Sequence, residues 1–101
     1  MLIYNVTTQV PAKLEPEWLH WMTEEHIPEV VSSGCFTHHR ITRMLEPTEP
    51  GFVTFAVQYF CSNPELYQEY LQRAAPALRK KALDRWGENA ISFRSLMEVI
   101  N

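Results

Sequence analysis

The chain has 101 residues, a length that suits one domain spanning residues 1–101. Its apolar content of 46% excludes the intrinsically disordered class, because a chain of this composition can bury a core. The formal net charge of −3 provides no attraction for polyanions, so we expect no nucleic-acid partner.

Cysteine spacing and hydropathy indicate where the protein resides. Cys35 and Cys61 lack the paired spacing of a zinc or redox motif, so we expect buried, reduced thiols. The chain begins with a strand-like pattern, Leu2-Ile3-Tyr4, without the charged segment that opens a signal peptide. No apolar stretch approaches the roughly 20 residues that cross a bilayer. We therefore expect a cytoplasmic protein with no membrane partner.

The first third of the chain predicts a strand followed by a helix. Residues 2–10 alternate, with Leu2, Tyr4, Val6 and Val10 on one side and Asn5, Thr7 and Gln9 on the other. Pro11 ends this strand. A helix follows from Pro16 to about Ser33, with Gly34 as its stop. Pro28 lies inside it and lacks an amide donor, which predicts a kink or break at residues 24–28.

The remaining elements are a hairpin, a second helix and a last strand. Residues 36–45 and 52–61 predict two strands joined by the turn-forming segment 46–51. Asn63 is the predicted cap of a helix that stops at Gly87, and Pro76 predicts either two helical pieces or one kinked helix. Residues 89–100 alternate again, with Ile91, Phe93, Met97 and Val99 opposite Ser92, Arg94 and Glu98.

The order β-α-β-β-α-β predicts an α+β, ferredoxin-like domain with one four-stranded antiparallel sheet. Right-handed crossovers place both helices on one face of the sheet. The other face then carries large apolar side chains that are costly to leave in water. A second copy packed against that face would cover them, so we expect a homodimer, which is the dimeric α+β barrel arrangement.

His26 is the candidate catalytic residue. At about 3.6 residues per turn it projects to the same side of the first helix as Trp18 and Met22, toward the core or a cavity. A histidine beside a proline break can carry protons near neutral pH. The alternative is a structural histidine bonded to the carbonyl of Glu24 or Met22. Trp18 and Met22 are candidate ligand contacts, with packing onto the sheet as the alternative.

Polar residues at alternating strand positions are the candidate ligand-binding groups. Arginine binds carboxylates with two hydrogen bonds, which favours an acidic organic ligand. The alternative is that these residues serve the dimer interface or its rim, because the phase of a strand is not fixed by one sequence. From this set and its neighbours we select Asn5, Tyr59 and Arg94 as ligand-orienting residues. The polar positions themselves are Asn5, Thr7, Arg40, Gln58, Ser92 and Arg94.

Known cofactor and metal motifs do not occur in the sequence. There is no glycine-rich phosphate loop, nucleophile elbow or Cys/His dyad, and four scattered histidines lack metal-ligand spacing. We therefore expect neither a cofactor nor a metal. A basic cluster in the second helix is interpreted as a solvated face; it comprises Arg73, Arg79, Lys80, Lys81 and Arg85.

The segment from Glu17 to Val30, with the sequence EWLHWMTEEHIPEV, resembles a family of small bacterial proteins classified as a domain of unknown function. Residues 33–36, 57–60 and 75–79 carry the same resemblance, and it extends over essentially the whole chain. That family lies within the dimeric α+β barrel superfamily, which implies a ferredoxin-like dimer without an established activity. The His26-Ile27-Pro28 triplet is similar to a His-x-Pro triplet in EthD-like barrels. Other members of the superfamily are cofactor-free monooxygenases, muconolactone isomerases and haem-degrading enzymes.

Three functional hypotheses remain open. The first is binding of a small acidic or aromatic organic ligand in a cavity between the sheet and the first helix. The second is a non-enzymatic dimeric interaction or structural module. The third is a cofactor-free monooxygenase or an isomerase-like enzyme. No residue set in the sequence matches the full active site of one known enzyme, so whether the protein catalyses a reaction stays open.

Overall fold

Four strands form one antiparallel sheet in the computed structural model, which describes residues 1–101. The two central strands have ten residues each; one of them alternates in burial along its length, and the other buries residues on both of its faces. The strands are β1 (Leu2–Pro11), β2 (His38–Arg43), β3 (Phe52–Cys61) and β4 (Ile91–Glu98), in the order β2-β3-β1-β4. At the centre of the sheet, Tyr4 pairs with Tyr59 on one side and with Leu96 on the other.

Two interrupted helices connect these strands. The first consists of α1 (Glu15–Trp21), a π-helical turn (Met22–His26) and α2 (Ile27–Val31). The second consists of α3 (Pro64–Arg73) and α4 (Ala75–Trp86). Short 3-10 turns cover Ala12–Leu14 and Gly87–Asn89.

The predicted β-α-β-β-α-β order and ferredoxin-like sheet are confirmed. Asn63 caps α3 by accepting a hydrogen bond from the amide of Leu66 at 2.9 Å. The second helix divides at Ala74, before Pro76, and ends where Gly87 adopts a φ of +55°. The structure thus selects two helical pieces over one kinked helix.

The second strand is shorter than predicted at both ends, since it covers His38–Arg43 rather than residues 36–45. Phe36 lies in the preceding loop and is buried in the core, where its ring packs against Tyr59 and Tyr70. Phe36 is apolar, as a buried strand residue would be, so the sequence pattern does not distinguish a strand from a loop that packs into the core. The predicted strand was therefore too long at this end.

Pro28 produces a change of helical register. The amide of Ile27 donates to the carbonyl of Met22, five residues earlier, and the turn from Met22 to His26 is π-helical. Proline cannot donate to the preceding turn, and it occupies the first turn of α2, where its missing amide is tolerated.

All helices pack on one face of the sheet, and the core lies between the two layers. Trp18 of α1 stacks on Phe55 of β3 with ring centroids 5.0 Å apart. All five residues of the basic cluster are exposed, as predicted. One of them, Lys81 of α4, forms an ion pair of 2.6 Å with Glu29 of α2. Cys35 and Cys61 are buried and free. None of the helices is sufficiently long and apolar to span a membrane.

The opposite side of the sheet, which we call the open face, has no helix over it. Strand alternation places Asn5 and Thr7 there, since Tyr4 on the same strand contacts the helices. Phe93 and Ile91 of β4 occupy the same face and are 63% and 62% exposed. The other large apolar side chains of the open face are Ile3, Phe52, Phe60 and Met97.

Candidate functional site

A cavity of about 250 Å³ lies between the helical face of the sheet and the two interrupted helices. Strands β1, β3 and β4 form its floor, while α1, the π-helical turn, α2, α3 and α4 form its walls. Most of its lining is apolar, and its arginines and its histidine come from β4, α4 and the π-helical turn. Its lining includes Tyr4, Trp18, Trp21, Met22, His26, Tyr59, Arg79, Leu83, Trp86, Ser92 and Arg94.

The cavity opens between α4 and the edge strand β4. Among its lining residues, Arg79 and Leu83 of α4 and Ser92 and Arg94 of β4 are exposed. Because β4 is the last strand of the sheet, no further element closes this side. A small molecule can therefore enter beside two guanidinium groups.

The inner wall of the cavity is aromatic. His26 stacks on Trp21 with ring centroids 4.8 Å apart and ring planes 19° apart. Trp21 in turn meets Trp86 edge to face at 5.9 Å. The indole nitrogen of Trp86 is buried and has no hydrogen-bond partner. A buried donor without a partner is uncommon in folded proteins, and here it belongs to a residue that lines the cavity.

Burial lowers the pKa of His26 below its ordinary value of 6.5, because desolvation disfavours the imidazolium ion. Glu29 acts in the opposite direction and raises the pKa, while Arg94 lowers it further. The net direction keeps the imidazole neutral near pH 7. A neutral imidazole has one ring nitrogen free to accept a proton or a hydrogen bond.

The side chains of Arg79 and Arg94 meet at the hydroxyl of Tyr4, so three elements contribute to this group. Arg79 of α4 donates to this oxygen from a terminal guanidinium nitrogen at 3.1 Å, and Arg94 of β4 donates from Nε at 3.1 Å. The hydroxyls of Thr8 and Ser92 form a hydrogen bond of 2.8 Å on the same side of the sheet. Each guanidinium uses one of its donors on Tyr4, so the others are available to an anion at the mouth.

The structure brings together five of the six residues selected from the sequence. His26, Trp18, Met22, Tyr59 and Arg94 all line the cavity. Asn5 does not: it lies on the open face, 8% exposed, and donates to the hydroxyl of Thr7 at 3.0 Å. Among the polar strand positions, Thr7, Arg40 and Gln58 also lie on the open face, whereas Ser92 lies on the cavity side.

Sequence reasoning missed three residues of the site. Tyr4 was assigned to an apolar strand face, and Arg79 to a solvated helix face. Trp86 was not selected from the sequence as a site residue, although it lines the cavity. One signal was present for Tyr4, because a tyrosine in an apolar strand brings a hydroxyl that needs a partner in the core. No group of three or more His, Cys, Asp or Glu side chains is arranged to hold a metal ion.

Solved structures with the same fold come from proteins of several kinds. MhuD, a haem degrader from Mycobacterium tuberculosis solved with two haems in its active site, has a TM-score of 0.73 and 20% identity. That match covers 100% of this chain and 97% of MhuD. An EthD-family protein from Bacillus halodurans has a TM-score of 0.69 and 16% identity, covering 99% and 100% of the two chains.

SnoaB, a cofactor-independent oxygenase from Streptomyces nogalater, has a TM-score of 0.66 and 10% identity, covering 99% of this chain and 94% of SnoaB. At such identities these likenesses show the fold alone. A search among curated proteins finds no match to this sequence. The model of the domain of unknown function DUF4286 matches residues 1–100, and the chain therefore belongs to the DUF4286 family.

Proposed function

We propose that this protein binds a small organic acid with an aromatic or other flat apolar group in the cavity between the sheet and the first helix. The observation that carries the proposal is the convergence of Arg79 and Arg94 at the mouth of a cavity walled by indole rings. Guanidinium groups suit a carboxylate, and indole faces suit a flat ring.

The size of the cavity favours a ligand with one or two rings. An apolar cavity of about 150 Å³ holds benzene, so about 250 Å³ has room for a substituted ring. Pockets for drug-sized ligands measure roughly 300–1,000 Å³, which lies above the present volume. MhuD binds haem, but the cavity in this chain favours a smaller molecule.

Tryptophan fluorescence provides a direct binding test, because all three tryptophans of the chain line the cavity. A panel of aromatic carboxylic and keto acids is titrated into the protein, and each binding acid is compared with its methyl ester. We expect the acids to quench the fluorescence and the esters to bind more weakly, because the esters lack the charge that the arginines bind.

A matched pair of variants on α4 tests whether the ligand binds in this cavity. Arg79→Gln removes a charge that lines the cavity, and Lys80→Gln removes the next charge along the helix, which pairs with Asp84 in solvent. We expect Arg79→Gln to weaken binding about 10–100-fold, as for a charged hydrogen bond worth roughly 1.5–3 kcal/mol. Lys80→Gln should leave the affinity unchanged. Equal effects of both variants, or equal affinity for acid and ester, would contradict the proposal.

The same proposal includes a homodimer formed through the open face. Phe93 and Ile91 together make an apolar surface that a second copy would cover. Arg40, which donates to Gln58 at 3.0 Å, supplies polar groups that could fix the orientation of the two sheets. We also place the protein in the cytoplasm, since its two buried free thiols suit a reducing compartment.

A further inference from the structure

The hydroxyl of Tyr4 has an unusual set of partners. Its oxygen accepts hydrogen bonds from Arg79 and Arg94, and these two donors occupy both of its lone pairs. Its own proton is left to be donated, and these two arginines cannot accept it. Tyr4 is 2% exposed, and a buried hydroxyl normally has an acceptor, so a bound molecule with an oxygen acceptor would complete this site.

The Tyr4 ring is held firmly in place. It contacts the rings of Phe36, Tyr59, Tyr67 and Tyr70 at centroid distances between 5.5 and 6.1 Å. A hydroxyl fixed by packing and flanked by two guanidinium groups is placed to donate a hydrogen bond to a ligand oxygen on which negative charge develops. This is the arrangement that an oxyanion or an enolate requires.

His26 lines the same cavity from the helical wall. Its stack on Trp21 leaves the ring nitrogens at the ring edge, away from the indole face. The pKa of His26 is lowered by burial, so the imidazole is unprotonated at neutral pH and can accept a proton. A neutral base and a fixed hydroxyl donor lining one cavity are the two groups that proton transfer next to a carbonyl needs.

We propose that the cavity catalyses keto–enol tautomerisation of an aromatic 2-keto acid, with His26 as the base and Tyr4 as the acid. This activity rests on the binding function proposed above. The carboxylate binds to the remaining donors of Arg79 and Arg94, which places the adjacent keto oxygen beside the Tyr4 hydroxyl. The unpaired indole nitrogen of Trp86 is a further donor within the cavity.

The step balances without an oxidant, a reductant or a cofactor. A ring nitrogen of His26 takes a proton from the carbon next to the keto group, and the electrons of that C–H bond form the C=C bond. The carbonyl π electrons take the proton of Tyr4, which gives the enol. His26 then carries one extra proton and Tyr4 lacks one. Transfer of a proton to water from the imidazolium ion, and from water to the phenolate, restores the site.

Phenylpyruvate in D₂O tests this activity. Proton NMR follows the loss of the methylene signal as deuterium replaces hydrogen, and tryptophan fluorescence measures binding of the same compound. We expect the protein to accelerate exchange by about 10²-fold or more over buffer. Tyr4→Phe and His26→Gln should each remove most of this acceleration while phenylpyruvate still binds.

A control variant separates the chemistry from the loss of any histidine. His20→Gln removes an exposed histidine on α1 that does not line the cavity. This variant should retain the acceleration. The rate in the parent should also fall as pH decreases through the pKa of His26, a dependence that a purely structural histidine would not produce.

Two results would overturn the tautomerase proposal, and they differ in whether the proposed ligand-binding function survives. Binding of phenylpyruvate without faster exchange would refute the activity and leave the ligand-binding function intact. Failure of every acid in the panel to bind would refute both. If Tyr4→Phe does not fold, Arg94→Met serves instead, and it should slow exchange at saturating phenylpyruvate as well as weaken binding.

Discussion

Trp21 and His26 stack face to face although they are five residues apart on one helix, a separation that places two side chains on different faces of an α-helix. The π-helical turn from Met22 to His26 explains the contact, because its hydrogen bond spans five residues and aligns residues at that spacing. Pro28 forces this register. The proline therefore acts on the cavity indirectly, by setting the direction in which His26 points.

Hydrogen exchange should detect the π-helical turn. We expect the amides of residues 25–27 and 29 to exchange faster than those of residues 18–22, because Pro28 leaves one carbonyl of the preceding turn without its donor. Side chains at Thr23, Glu24 and Glu25 are exposed, so little packing protects this stretch. Uniform protection from residue 18 to residue 29 would show that the turn is as stable as the α-helix before it.

The pH dependence of stability should contain a contribution from His26. Its pKa is about 6.5 when unfolded and lower in the folded state, so the unfolded state binds more protons between these two values. The contribution of His26 to the free energy of unfolding should therefore be constant above about pH 7.5 and should decrease as the pH falls through 6.5. The groups that act on its pKa are Glu29 of α2, which opposes the shift, and Arg94 of β4, which adds to it.

Thermal melts between pH 5 and about pH 8 measure this dependence. His26→Gln should flatten the curve over the lower part of the range, and a direct NMR titration should give a pKa for His26 below 6.5. His20→Gln, on the exposed side of α1, is the control and should leave the curve unchanged. A steeper curve in His26→Gln would mean that the shift has the opposite sign.

Truncation of Trp18 should be far more costly than truncation of an exposed apolar residue. Trp18 is 2% exposed and stacks on Phe55, so Trp18→Ala should lower the free energy of unfolding by about 3–5 kcal/mol. Leu83→Ala, at the exposed mouth of the cavity, should change it by less than about 1 kcal/mol. Chemical denaturation measures both, and similar losses would place Trp18 outside the core.

The strands and their faces could be read from the sequence because alternation is a local property. Tyr4 and Asn5 were assigned to opposite sides of β1, and the packing agrees. Alternation does not give the register between strands. Without that register, residues of different strands cannot be assigned to the same face. Asn5 was grouped with Tyr59 and Arg94, although these two lie across from Tyr4 and Val6 on the cavity side.

The first helix shows why the contacts of His26 were harder to predict. A projection at constant α-helical steps places His26 beside Met22 and far from Trp21, whereas the π-helical turn brings His26 onto Trp21. The sequence located the irregular segment through Pro28, but a proline can produce a kink, a break or a change of register. Arg79 was missed for a related reason, since its contact with Tyr4 depends on how α4 lies over the sheet.

The open face provides the last prediction, which concerns the proposed dimer. Phe93 is 63% exposed on that face, whereas Leu45 is 78% exposed in the loop between β2 and β3. Sedimentation equilibrium or native mass spectrometry at micromolar concentration should give a two-chain species for the parent. Phe93→Glu should dissociate the dimer, because its interface would bury two unpaired carboxylates, one from each subunit. Each carboxylate would cost roughly 2 kcal/mol or more. Leu45→Glu introduces the same charge away from the sheet and should remain dimeric. A parent that sediments as a stable, soluble monomer throughout this range would contradict the dimer, and the exposed side chains of β4 would then require another explanation.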